Sequence, residues 1–104
     1  MIDVAKTMTR LTVSGHSNTS EEDKTEETIQ ACASVTALVQ TLLFGILSTE
    51  ENAPDYEISR GWFWLDTEFL SGSSLFLIDV FMMGIQSLSE AYPDCVSVKT
   101  YEHF

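Results

Sequence analysis

Two side chains in this sequence carry reactive chemistry at a spacing that a small fold can close. They are the imidazole of His16 and the thiol of Cys32, sixteen residues apart. A thiol attacks as its thiolate, and its ordinary pKa is about 8.5. Nucleophilic work near neutral pH therefore needs a neighbouring imidazolium, a helix N-terminus, or both. Such a pair performs acyl transfer: the thiolate adds to a carbonyl and the imidazolium protonates the leaving amine. The spacing alone leaves plainer readings open. A cysteine on an apolar helix stripe also serves as a small core side chain, and a histidine after a strand also serves as a surface residue.

The remaining candidates are weaker. Cys95, beside Pro93-Asp94, is expected to pack, and His103 in the terminal tail to be idle. No CxxC or HxxxH pair occurs, so no metal site is expected. Neither a glycine-rich phosphate loop nor a GxSxG elbow is present, and no cofactor is expected. Met82-Met83 falls at core spacing on a helix. Trp62 and Trp64 share one strand face and are expected to pack or to cover an interface.

The elements that must position the pair follow from periodicity. Ile2, Val4 and Lys6 alternate with their neighbours, and Leu11, Val13 and Gly15 resume the alternation after Thr7 to Arg10. This predicts two short strands joined by a turn. Gly15 permits a sharp turn at the second strand's end, projecting His16. Ser17 to Glu27 has no apolar residue and sets five acids against Lys24; it reads as a solvated loop ending in helix-cap signals. From about Thr28 to Ser48, Cys32, Val35, Val39, Leu42 and Ile46 recur at helical steps, with Cys32 in the first two turns. Tyr56 to Phe69 reads as a hairpin turning near Arg60-Gly61. Ser71 to Ser74 is a cap signal, Leu75 to Tyr92 a second apolar helix ended by Pro93, and Val96 to Thr100 a last strand. The expected fold class is α/β in the broad sense (α+β): two helices packed on a mixed, mostly antiparallel sheet, in the order β-β-α-β-β-α-β.

Bulk composition narrows the function. The 104 residues suit one domain, 1–104, and 44% hydrophobic residues suit a packed core. The net charge of −11, from 5 basic and 16 acidic side chains, argues against a nucleic-acid surface and against an anionic membrane face. A charged partner of such a chain is expected to be basic. Met1-Ile2-Asp3-Val4 leads straight into alternation with no signal-peptide pattern, and the apolar run Ala31 to Leu47 is short of the ~20 residues of a membrane span. A cytoplasmic location and a free thiol are expected.

The Gly15-His16 strand ending, followed by Cys32-Ala33-Ser34-Val35-Thr36-Ala37-Leu38 opening a helix, resembles the ribosomal-processing cysteine protease (Prp) family. A Gly61-centred hairpin and the run Ser87 to Pro93 into a Val-x-Val strand extend the likeness over nearly the whole chain. The resemblance implies a two-helix sandwich, often a homodimer, with Cys32 as nucleophile and His16 as its base. It implies a cysteine endopeptidase that removes the N-terminal extension of a bacterial large-subunit ribosomal protein precursor, cutting after a hydrophobic, aromatic-containing stretch. The substrate would be a basic ribosomal-protein precursor.

Gly15, Ala33 and Ser34 are expected to let the substrate backbone approach, and the helix's first N–H groups to stabilise an oxyanion. Two departures from the family pattern stand out. The loop between His16 and Cys32 is longer and more acidic, which suits a flap clasping a basic tail. An Asp-Ile-Val run usual before the cysteine is replaced by Ile29-Gln30-Ala31, so Glu26 or Glu27 would have to orient the imidazole. The alternative is a catalytically weak or inactive relative acting as a binding module or structural dimer.

Overall fold

The computed structural model describes residues 1–15 and 25–100. His16, most of the expected acidic loop and the tail holding His103 lie outside the described residues. Strands β1 (Ile2–Lys6) and β2 (Arg10–Ser14) pair antiparallel. Their turn is closed by Thr7, whose hydroxyl oxygen accepts the Arg10 N–H at 3.1 Å.

Helix α1 (Glu26–Thr49) begins two residues before the periodicity suggests. The apolar stripe does not mark its start; the cap does. Thr25 Oγ1 accepts the Thr28 N–H at 3.2 Å, and Thr28 Oγ1 accepts the Thr25 N–H at 2.9 Å. This reciprocal box satisfies donors that a helix end leaves unpaired. A hairpin of β3 (Tyr56–Ser59) and β4 (Trp62–Asp66) follows. Gly61 sits at its turn with φ +77°, a conformation that suits glycine. Helix α2 (Gly72–Ala91), capped by Ser71, and β5 (Val96–Thr100) complete the expected order.

The sheet runs β3-β4-β2-β1-β5, with β1 and β5 parallel and every other pair antiparallel. This is the mixed, mostly antiparallel α+β arrangement expected. Ile2, Val4, Leu11, Val13, Phe63, Leu65 and Val96 are buried with Ala31, Val35, Val39, Leu42, Leu43 and Ile46 of α1 and Ile78, Phe81 and Ile85 of α2. Burying each such large aliphatic or aromatic side chain contributes about 1.5–3 kcal/mol. Alternate residues of β2 and β4 share the opposite face, where Arg10 stacks 4.5 Å over the Trp64 ring.

By length and composition alone α1 and α2 are apolar enough to cross a membrane; here the buried side of each packs into the core shared with the sheet. The helices meet in reciprocal fashion. A Cβ on Gly84 of α2 would lie 3.2 Å from Leu38 of α1, and one on Gly45 of α1 would lie 3.2 Å from Leu77 of α2. Each leucine occupies room left by the other helix's glycine, and the order of the two contacts makes the helices antiparallel. Cys95 is buried, as a packing cysteine should be.

Candidate active site

The helical steps that place Val35 and Val39 toward the sheet also turn Cys32, Thr36 and Gln40 toward one side of it. There β3 and its turn extend beyond the cover of α1, and all four β3 residues are exposed. The result is a cleft of about 450 Å³. One wall is the Cys32–Gln40 face of α1. The other comprises the β3–β4 turn, Ile58 to Phe63, and the end of β2 at Gly15. Ile2, Val13, Val35, Val39, Ile58 and Phe63 give it an apolar lining, while Thr36, Gln40, Ser59 and Arg60 supply polar side chains.

Cys32 is a free, half-buried thiol in this lining. Gly15 lies in the same lining with φ +101°, and a Cβ there would collide with the Met1 carbonyl oxygen. Its N–H donates to the Gly61 carbonyl at 3.0 Å, which ties the end of β2 to the hairpin turn. The chain therefore leaves the described structure at the cleft, on the residue before His16.

Cys32 is the seventh helical residue, about 9 Å along the axis from the first. The dipole acts mainly within the first turn, and the Thr28 N–H that ends this turn is taken by Thr25. The first N–H groups of the helix therefore lie nearly two turns from Cys32. Ala33 is exposed and Ser34 half-buried, and neither lines the cleft; Thr36 and Gln40 do, because they lie one and two turns on from Cys32. Glu26 and Glu27 are exposed in the first turn. Glu26 Oε1 accepts from Gln30 Nε2 at 3.2 Å, and Gln30 Oε1 accepts from the Tyr92 hydroxyl at 3.1 Å.

Among the described residues no aspartate or glutamate lines the cleft and Arg60 is its one cation. Sequence periodicity gave no hint of this. It marks Arg60-Gly61 as a turn, and nothing local says which helix the turn faces.

The sequence over residues 1–97 matches the family model of cysteine protease Prp. The chain belongs to that family. It is accordingly a cysteine protease, and the Prp fold explains the arrangement just described. A search of curated proteins finds no match. Among solved structures, the S. aureus ribosomal processing protease Prp with a covalently linked product peptide superposes at TM-score 0.80 and 18% identity, covering 97% of this chain and 100% of that one. The same protease with a substrate peptide gives 0.79 and 16%, with the same coverage. A Streptococcus mutans protein gives 0.76 and 18%, covering 98% and 93%.

A second hollow of about 670 Å³ lies at the other end of α1, lined by Glu50, Glu51, Asp55, Asp66 and Phe69 among others. It contains no cysteine or histidine among the described residues. Its Glu50 is engaged in structure. Glu50 accepts from Ser71 Oγ at 2.6 Å, from the Ser71 N–H at 3.3 Å, and from Ser74 Oγ. The Ser71 and Ser74 hydrogen bonds hold its carboxyl below the usual carboxylate range. Among the described residues no group of three His, Cys, Asp or Glu side chains is placed to hold a metal.

Proposed function

We propose that this Prp-family protease is the endopeptidase that trims the N-terminal extension from a bacterial large-subunit ribosomal protein precursor, with Cys32 and His16 as its dyad. The observation that carries the reading is the placement of the Cys32 thiol and Gly15 in one cleft. His16 is the covalent neighbour of Gly15. The S. aureus protease of the same fold is described with peptides of ribosomal processing, which supports a peptide substrate.

In the proposed sequence His16 removes the Cys32 proton. The thiolate adds to the scissile carbonyl, and the C–N bond breaks as the imidazolium protonates the departing amine. Water, deprotonated by the same imidazole, then hydrolyses the thioester and releases the extension as a carboxylate. The apolar lining suits the hydrophobic, aromatic-containing stretch that precedes the cut. The net charge of −11 favours encounter with a basic precursor, and the single unit 1–104 would work in the cytoplasm without a cofactor.

Incubation with the extended precursor, followed by intact mass, tests the assignment. Wild type should release one N-terminal fragment. Cys32→Ala should fall by a factor of at least about 10⁴ and His16→Ala should slow both cleavage and thiol alkylation. Undiminished trimming by Cys32→Ala rules the assignment out.

A homodimer is part of the same proposal. Phe76, Val80 and Met83 recur at helical steps on α2 and are 65%, 48% and 70% exposed. If this stripe is the interface, Met83→Glu should shift sedimentation from dimer to monomer. A monomeric wild type would dispose of it.

A further inference from the structure

We propose that Arg60 is a specificity residue, holding a carboxylate of the bound peptide at the mouth of the Cys32 cleft. The inference rests on the peptidase reading of that cleft and deepens it. Acidic side chains outnumber basic ones 16 to 5 in this chain, yet none of the described acids lines the cleft, and Arg60 does. The cations of the β1–β2 hairpin are committed: Arg10 stacks on Trp64, and the Lys6 ammonium donates to the Thr7 carbonyl. Arg60 is exposed and pairs with no carboxylate among the described residues.

Its backbone is held in place. Gly61 follows with φ +77°, and the Gly61 carbonyl accepts the Gly15 N–H at 3.0 Å. The guanidinium therefore springs from a fixed turn beside the strand end that leads to His16. A guanidinium offers a planar fork of N–H donors that matches a carboxylate in two parallel hydrogen bonds. Beside it, Val35, Val39, Ile58 and Phe63 offer apolar surface. The ligand that fits both is a peptide with an apolar side chain next to a carboxylate. That carboxylate has two possible sources: a Glu or Asp side chain of the substrate, or the terminal carboxylate left on the departing peptide after cleavage. The net charge of −11 repels anions at long range, so any preference for an acid must be local to Arg60.

Short peptides with one Phe, and Glu or Gln scanned through the positions around it, give the first arm. Wild type should prefer Glu at one position by about two- to fivefold in kcat/KM, the size expected of an exposed pair. The Glu/Gln ratio should fall to one in Arg60→Ala, return in part in Arg60→Lys, and invert in Arg60→Glu. Comparing the ratio within each variant cancels any general loss of activity. The second arm compares binding of Phe-ending product peptides as free acid and as amide. A preference for the acid that disappears in Arg60→Ala assigns the carboxylate to the peptide terminus. A dependence on Arg60 in either arm supports the proposal, and its absence from both overturns it. If wild type cleaves none of the peptides, the peptidase reading fails by itself, and the acid-against-amide binding measurement still decides the role of Arg60.

Discussion

The two ends of α1 face hollows of opposite character. At Glu50 the acidic side chain is drawn into the start of α2, where the hydroxyls of Ser71 and Ser74 and the Ser71 N–H all donate to it. Ser74 is fully buried, so the Glu50 carboxylate is tied into the start of α2. At Cys32 the described lining has no carboxylate, a free thiol, and an arginine without an acidic partner among the described residues. Polar groups that satisfy one another hold a fold together; polar groups left facing a cleft are available to a ligand. The larger volume lies at the Glu50 end, so size alone does not point to the hollow that holds the thiol.

The comparison can be broken at either end. The largest effect on stability is expected from Gly15→Ala. The left-handed backbone and the collision with Met1 should cost at least about 1–2 kcal/mol, and the displaced strand end should depress cleavage beyond what lost stability explains. Urea unfolding beside initial rates at a temperature where both proteins are folded separates the two contributions. Normal rates in a stable Gly15→Ala protein would detach the strand end from the site.

At the other end the effect is smaller and should spare catalysis. Ser71→Ala removes the α2 cap at about 1 kcal/mol, with kcat/KM unchanged. Smaller still is the pH effect at Glu50. Its carboxyl is held below the ordinary range, chiefly by the Ser71 and Ser74 hydrogen bonds, so the folded protein takes up this proton less readily than the unfolded chain. The stability it contributes is complete above an unfolded carboxylate pKa of about 4.3. It is lost as pH falls through the lower folded value. Urea midpoints of wild type and Glu50→Gln should therefore differ at pH 6 and converge in acid; a gap that persists below the folded value would remove this account.

The strands, both helices and their order were legible from local pattern, because alternation and helical steps record which face of each element is buried. Helix starts were less so. Thr25, Thr28 and the serines and threonines before them all look like caps, and the reciprocal pair Thr25–Thr28 is what sets the start and makes Cys32 the seventh helical residue. The cleft's second wall was not legible at all. It depends on β2 pairing with β4, Ser14 opposite Trp62, across a sequence gap that no short-range pattern spans. Ile58, Arg60, Thr36 and Gln40 therefore went unnoticed beside Cys32, while Ala33 and Ser34, its neighbours in sequence, point elsewhere because a helix turns by about 100° per residue.

The exchange of leucines and glycines between α1 and α2 reaches further than the core. Leu38 resting on Gly84 and Leu77 on Gly45 act as two dowels that fix how closely α1 and α2 approach. Cys32 stands on that same rod less than two turns from the first dowel, so the reach of its sulfur into the cleft is gauged from the opposite flank of the helix. A methyl group added at position 84, outside the lining of the cleft, would press on Leu38 and should, by moving α1, change the calibre of the opening.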